Sequence, residues 1–517
     1  MESPGPPAAT VSDLPLSQSP LRVPPALAEL RQSRIDLVGV ASVEGGEMAR
    51  YLLAAGFTNL VGNDQQPDLV SLRRAHHLAH AGLNREERRQ RLDQLLEGLH
   101  SLQLADAYLQ GVQQSTMVIP SQAWFLSPAN SALHRLREQG HPFYSLIQAY
   151  LDLAQGEVVG ITGTHGKSTT SALVAAVLGQ SGLYPTVWLA GNDRHDRQAL
   201  EEVARDDRGG CLVLEISNRQ LLQMERAPRV GCLTNITPNH LDEHQGLAGY
   251  LRTKRRIFEL PGCEVAIRNG DDPLSFEGNE PHPGIRQLRF ALHESRLEGF
   301  DGAYEEDGML QLRWQTTTMA VMPADRVPLV GSHNRSNVRA ALTVLAALAP
   351  PDPSRLAAAA RAIGNFRPLR HRTELTRRHQ GVDYFDDLSS TTPQSTVAAI
   401  RGLARPCILI AGGDDKGIEF TQLSGLVGGP VRAVVLLPGA GSERLARELT
   451  AAGEGALVHR VEKLQAAVEL AAELARPGEA VLLSPACPGF FSAHYGEGGF
   501  RQAVRRATSP RPRREPE

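Results

Sequence analysis

Short apolar runs that end in a polar, glycine-containing turn and then give way to helical patterning recur along the chain. Residues 35–41 (IDLVGVA) are the first such run, followed by Gly45, Gly46 and the helical pattern MARYLLAAG. The spacing differs from G-x-G-x-x-G, so a phosphate-contacting turn and a plain tight turn between strand and helix both remain open. Residues 84–110, rich in Arg, Glu and Leu at helical spacing, predict a solvated amphipathic helix. Residues 114–156 mix extended and helical pieces and close this first domain. The pattern then repeats more sharply. EVVGITG (157–163) predicts a buried strand, THGKSTT a polar turn and SALVAAVLGQSG a helix ending at Gly182, while CLVLEIS (211–217) and VGCLTNI (230–236) predict further strands. After PPDP (350–353), a linker by composition, come a hairpin pattern around Gln380 and Gly381 and the strands CILIAGG, VRAVVLLPG and AVLLSPA.

Strands alternating with helices at this spacing predict mostly parallel sheets covered by helices. The expected fold class is therefore α/β in three domains: an N-terminal Rossmann-like domain over 31–152, a central P-loop-type domain over 153–351 and a C-terminal Rossmann-like domain over 352–505. The flanks differ in composition. Residues 1–25 hold seven prolines and few large apolar side chains, too little burial to offset the entropy of ordering. A loose leader over 1–30 and a loose tail over 506–517 are expected.

The full length of 517 residues agrees with three or four domains. Lys and Arg number 54 against 57 Asp and Glu, so the formal charge of −3 offers no basic excess for nucleic acid. The five cysteines are scattered, with no CxxC pair and no apolar run long enough for a bilayer, which points to a reducing cytoplasm and to no membrane partner.

The strongest chemical signal is Gly163-Thr164-His165-Gly166-Lys167-Ser168-Thr169 between a strand and a helix. Backbone N–H groups at a helix N-terminus attract phosphate, Lys167 can bridge the outer phosphates, and Ser168 or Thr169 can ligate Mg²⁺. A strict Walker pattern would require glycine where Ile161 stands, so this is a shortened form. Glu215 ends an apolar strand, where a carboxylate suits Mg²⁺ beside the phosphate crevice, though a helix cap is the alternative. His240, Asp242, Glu243 and His244 cluster after the next strand; one imidazole ligand and a solvated loop are both open there. Lys254 stands among Arg252, Arg255 and Arg256 and reads as a surface helix charge.

GITGTHGKSTT, VLEIS, TNITPNHLDEH, YLRTKRRIF, GSHNRSN, LRHRTEL, AGGDDKG and LLSPAC follow in an order and spacing that resemble the Mur ligases, most closely their glutamate-adding members, from about residue 157 to 500. Over the first 150 residues the likeness is general, with Ser127-Pro128-Ala129-Asn130 near the position of a family Ser-Pro-Gly turn. The resemblance implies an ATP- and Mg²⁺-dependent ligase that joins glutamate to a UDP-linked muramoyl substrate, UDP-N-acetylmuramoyl-L-alanine, through an acyl phosphate, acting as a monomer. It implies that Gly163 to Thr169 hold ATP, that Lys167 grips its phosphates, that Ser168 and Glu215 bind one Mg²⁺ and His240 a second, and that Lys254 is carbamylated to act as a metal-binding anion. Asn334 and Asn337 would contact the nucleotide, Arg372 and Asp387 would close on it from the third domain, and Thr391 and Lys416 would meet the incoming amino acid.

Two departures fall in the amino-acid pocket. Where the family has Asp-Ser-Lys-Ala-Thr-Asn-Pro, this chain has Asp387-Leu388-Ser389-Ser390-Thr391-Thr392-Pro393; where the family has Ser-Pro-Ala-Cys-Ala-Ser, this chain has Ser484-Pro485-Ala486-Cys487-Pro488-Gly489. The family lysine and second serine help hold the D-glutamate carboxylates, and Ser389 and Gly489 replace them. The resulting readings are D-glutamate held differently, L-glutamate in the same step, another acceptor or lost ligase activity, or a nucleotide-binding partner or regulator without ligation.

Overall fold

The computed structural model describes residues 19–80, 82–192, 198–239, 243–277, 282–415, 417, 419–495 and 499–509. The chain divides into two compact units, one running through Val327 and adding Ser336–Phe366, the other comprising Pro328–Arg335 and the chain from Arg367 onward. The first unit carries two parallel sheets, so the chain has three sheet-centred α/β domains, two of which share a core.

The first sheet is four-stranded, in the order Ser101–Gln103, Leu60–Asn63, Ile35–Val38, Met117–Pro120, all parallel. The helix Val43–Ala54 begins earlier than the pattern predicts: Gly45 and Gly46 lie within its first turn, and the turn itself is made at Gly39. The predicted long helix over 84–110 stops at Gly98, because a capping box of Asn84 and Glu87 starts it and a short strand at Ser101–Gln103 follows. A second departure concerns the leader. Residues 19–30 are packed: the Arg22 guanidinium donates to the carbonyls of Leu153 (2.9 Å), Val203 (2.8 Å) and Asp206 (2.5 Å), and Leu27 is fully buried. One multivalent donor and a single leucine anchor a segment whose composition alone lacks apolar area.

The central sheet has six parallel strands in the order Arg286–Phe290, Val265–Asn269, Val230–Leu233, Glu157–Thr162, Cys211–Glu215, Val187–Gly191. Its core is continuous with that of the first sheet, running from Ile35, Met48 and Tyr150 to Leu200, Leu214 and Leu233. An antiparallel sheet of Gly302–Glu306, Met309–Trp314 and Thr317–Pro323 follows, an element the apolar-run pattern leaves unassigned because its strands alternate polar and apolar residues. The helix Pro353–Gly364 packs on the helix Lys167–Gln180, within the first compact unit, which extends to Phe366.

In the second unit, the strands run Glu374–His379, Val382–Asp386, Ala480–Ala486, Cys407–Gly412, Val431–Leu437, Val458–Arg460, antiparallel at the first pair and parallel thereafter. The expected hairpin turn is present, with both Gln380 and Gly381 at positive φ, as a two-residue turn that matches strand twist requires. The last helix, Gly499–Ala507, carries order past the expected start of the tail at 506.

On the helix Leu69–Ala79, His76 and the capping residue His80 stack with ring centroids 3.9 Å apart, and the Nε2 atoms of both are buried without a partner among the described residues. Burial pushes His76 down to about 3 and His80 to about 4, with Arg50, Arg91 and, for His76, His77 adding repulsion while Glu47 partly offsets it at His80. The unfolded chain binds protons near pH 6.5 that the folded chain refuses, so stability is lost as pH falls below that value. Urea unfolding at pH 7 and pH 5 is expected to show a loss on the order of 1–2 kcal/mol per histidine. His76→Leu should reduce that difference; an unchanged difference would dissociate this pair from the acid response.

Candidate active site

The loop that follows the strand Glu157–Thr162 emerges where its neighbours diverge, at the carboxyl edge between Cys211–Glu215 and Val230–Leu233. Ligands of open α/β sheets bind at such a switch point. The loop is held from the adjacent segment. Thr164 N–H donates to Asn235 O (2.8 Å), His165 N–H to Asn235 Oδ1 (2.9 Å), and Thr234 Oγ1 donates to His165 O (2.7 Å). Gly166, at φ +81°, lies so near Asn337 that a Cβ there would stand 2.4 Å from Asn337 Oδ1. Asn337 Oδ1 also accepts from Thr170 Oγ1 (3.2 Å), which ties the helix Ser332–Leu348 to the helix opened by Lys167. Lys167 Nζ donates to Gly163 O (3.0 Å) and Thr164 O (2.9 Å), on the inner rim of the loop. Ser168 and Thr169 are buried in the first turn.

Lys254 is no surface charge. It is 1% exposed, and its Nζ donates to Gly163 O (2.9 Å) and Thr162 Oγ1 (3.2 Å), beneath the same loop that Lys167 touches. The helix Leu247–Glu259 explains the placement: Lys254 follows Tyr250 and Leu251 on its buried face, while Arg252 points to solvent. Desolvation holds the Lys254 amine well below the usual lysine range; nearby Lys167 adds to this and Glu215 partly opposes it. The neutral amine so favoured is the form that attacks CO₂.

Glu215 ends its strand 3% exposed. Its Oε1 accepts from Asn192 Nδ2 (2.9 Å), while Oε2 is buried with no donor among the described residues. A desolvated carboxylate oxygen without a partner is costly, and a hard divalent cation with Ser168 as co-ligand fits that donor set. Of the expected cluster after the next strand, His240 and Asp242 lie outside the described residues. Glu243 pairs with Arg219 through two oxygens (2.9 and 2.6 Å), and His244 is bonded on both nitrogens, to Asn218 Nδ2 (2.7 Å) and Thr253 Oγ1 (3.1 Å). These two are spent on structure.

In the second unit, Asp387 is 4% exposed and accepts from Thr373 N–H (3.0 Å), Thr373 Oγ1 (3.2 Å) and Ser484 Oγ (2.8 Å). Burial pushes its carboxyl up to about 6 against these bonds. Asp387 thus joins the strand ends of Val382–Asp386 and Ala480–Ala486. Beside it, His371 Nδ1 and Tyr495 O–H both meet Asp386 Oδ2, at 3.0 and 2.6 Å. Arg372 is half-buried in the loop before Glu374–His379, and Thr391 is exposed two residues before the helix Pro393–Leu403. Asn334 Nδ2 donates to Val330 O (2.7 Å) at the start of its helix; Lys416 lies outside the described residues. The departure at Gly489 has a local cause: its φ is +76°, and a Cβ there would stand 2.1 Å from Asp414 Oδ2. The space a serine side chain would need is filled by an aspartate carboxylate.

The first sheet has its own switch-point pocket, about 340 Å³, lined by Ser42, Asp64, Gln65, Tyr108, Ser121, Ser127 and Asn130 among others. Ser127 and Asn130 belong to the Ser-Pro-Ala-Asn turn already noted in the sequence; the others, like Asn192, had no motif to mark them, and the retrievable signal was their position just past the carboxyl ends of strands.

A glycine-lysine turn between strand and helix, a half-satisfied buried glutamate and a buried lysine at the carboxyl edge of one parallel sheet are the arrangement of a nucleotide-dependent α/β enzyme. Residues 161–345 match the Mur ligase middle domain and residues 371–487 the Mur ligase, glutamate ligase domain; the chain belongs to the Mur ligase family. It is 34% identical over 383 residues to the UDP-N-acetylmuramoylalanine–D-glutamate ligase of Koribacter versatilis, covering 72% of this chain and 80% of that protein. With the enzyme of the same name from Symbiobacterium thermophilum it shares 28% over 466 residues, 89% of this chain and 94% of the other. Among solved structures, UDP-N-acetylmuramate-alanine ligase from Thermotoga maritima matches the fold with a TM-score of 0.57 at 17% identity, over 92% of this chain and 98% of that one.

Replacing Gly166 by alanine forces an L-residue into left-handed backbone, at about 1–2 kcal/mol, and drives its Cβ against Asn337. Affinity for a fluorescent ATP analogue is expected to fall about tenfold or more; wild-type affinity would remove the loop from nucleotide binding.

Proposed function

We propose that the chain is an ATP-dependent ligase that joins D-glutamate to UDP-N-acetylmuramoyl-L-alanine in peptidoglycan precursor synthesis, acting in the cytoplasm as a monomer. The observation that carries this reading is the convergence of Lys167 and Lys254 on the carbonyl of Gly163, with the half-satisfied Glu215 at the end of the neighbouring strand. The relatives' names supply the substrates. Among the described residues no helix is long and apolar enough to cross a membrane.

In this reading the substrate's UDP end occupies the first-sheet pocket, in the domain over 31–152, and its alanyl carboxylate meets the γ-phosphate of ATP above the loop at Gly163–Gly166. Mg²⁺, when bound, neutralises charge on the transferring phosphoryl oxygens. Lys167 adds positive charge to the phosphates, and loop N–H groups fix their orientation. The carboxylate oxygen bonds to phosphorus as the bond to ADP breaks. The glutamate amine then attacks the acyl carbon, phosphate leaves and the amine proton passes to a base. No protein nucleophile is required. As a neutral amine Lys254 would add to CO₂ and lose a proton, and the resulting carbamate would supply a further anionic ligand for the cation. By the family resemblance, Asp387 and Arg372 serve the nucleotide, and Thr391 and Lys416 the glutamate. With Asp414 occupying the space beside Gly489, the glutamate carboxylates are held without the usual serine.

Phosphate release with UDP-N-acetylmuramoyl-L-alanine should require glutamate and favour the D-isomer; L-glutamate as the better acceptor would reassign the stereochemistry, and turnover with neither would sink the ligase reading. Lys254→Ala should lose activity by about 100-fold or more, since one preorganised electrostatic group contributes on that order, and added short carboxylic acids should restore part of it. Absence of rescue at saturating acid, with the fold intact, would count against the carbamate.

A further inference from the structure

Gln122 sits between two pocket-lining residues. Ser121 and Ala123 face the first-sheet cavity, while the Gln122 side chain turns the other way, into the joint between the first and central domains. Every polar group of Gln122 is engaged there. Its N–H donates to Glu44 Oε2 (2.6 Å), its carbonyl accepts from Gln223 Nε2 (3.4 Å), its Oε1 accepts from Ser217 Oγ (2.5 Å), and its Nε2 donates to Asn192 Oδ1 (3.0 Å). Asn192 in turn donates its Nδ2 to Glu215 Oε1 (2.9 Å). Glu44 closes the network by accepting from Gln220 Nε2 (2.6 Å).

The polarity of this chain is fixed. Gln122 donates to the Asn192 oxygen, which leaves the Asn192 amide nitrogen toward Glu215; turning the Asn192 amide around would oppose its nitrogen to the Gln122 donor and its oxygen to a carboxylate. The Glu215 carboxylate therefore has Oε1 tied down and Oε2 presented bare, and the orienting group comes from the wall of a pocket in another domain.

We infer that Gln122 is a positioning residue, which acts through Asn192 to set the Glu215 carboxylate for its cation and makes cation affinity depend on occupancy of the first-sheet pocket. The inference rests on the ligase reading, in which a UDP-linked substrate fills that pocket. Substrate contacts at Ser121 and Ala123 restrain the backbone at 122, so the ordering of Asn192 and Glu215 is prepaid before the cation arrives. Coupling of this kind is reciprocal: the cation must also tighten the UDP-linked substrate by the same factor.

The test uses Mn²⁺ as a spectroscopic probe for the divalent cation. Free Mn²⁺ is followed by electron paramagnetic resonance as it is titrated into the full chain with a non-hydrolysable ATP analogue, with and without UDP-N-acetylmuramoyl-L-alanine, and substrate binding is measured separately by calorimetry. In the wild type, substrate should tighten Mn²⁺ by about fivefold or more. In Gln122→Ala, and in the isosteric Gln122→Glu that swaps the donor for an oxygen, the factor should fall toward one while substrate still binds. Undiminished coupling in folded Gln122→Glu, or no coupling in a wild type that binds both ligands, overturns the inference. A wild type that binds no UDP-linked substrate overturns the ligase reading first, and this inference with it.

Discussion

A carboxylate carried out of water at the end of a parallel strand must be compensated on both oxygens, and at Glu215 the protein compensates only one. Asn192 satisfies Oε1 and nothing described satisfies Oε2. Nearby, the buried Lys254 amine is unfavourable as an ammonium for the same reason. Direct pairing of Lys254 with Glu215 would have relieved both. Instead Lys254 spends its hydrogens on Gly163 O and Thr162 Oγ1, which leaves an electrostatic deficit at the loop that a polyphosphate and its cation can fill. The folded chain keeps this arrangement because the surrounding sheet is well packed and the penalty is local.

The two switch points of the first unit are coupled by construction. Each sheet offers its ligand a crevice beyond the carboxyl ends of its strands, and the shared core brings those edges into hydrogen-bond reach of one another. Gln122 and Glu44 supply polar satisfaction across that joint, alongside contacts such as Leu200 N–H to Glu47 Oε1 and Tyr150 O–H to Gln198 Oε1. Such a network is informative because each member has one role: an amide with both ends engaged cannot drift without leaving a buried group unpaired.

The loop was legible because its chemistry is local: strand, glycine turn, lysine and hydroxyl are contiguous, and the structure places Gly163 through Thr169 as the pattern implies. The hairpin at Gln380 and Gly381 was legible for the same reason. Lys254 was marked only by the family resemblance, since a lysine among three arginines has the composition of a solvated face and the phase of its helix is what buries it. Asn192, 23 residues from Glu215, and Gln122, 70 residues from Asn192, carry no signal in sequence, because hydrogen bonds between strand ends leave no periodicity. The anchoring of residues 19–30 escaped composition because Arg22 achieves through three carbonyl contacts what apolar area would otherwise do.

The third domain shows how a departure from family pattern can be read physically. Serine at 489 would need left-handed backbone and would collide with Asp414, so glycine at that position and the aspartate's placement form one structural choice. A carboxylate at 414 would repel a dicarboxylate that approached it carboxylate first, and would attract the ammonium of an amino acid turned the other way. The loss of a lysine at Ser389 acts in the same direction. Retention of glutamate specificity would then require cations other than the family lysine.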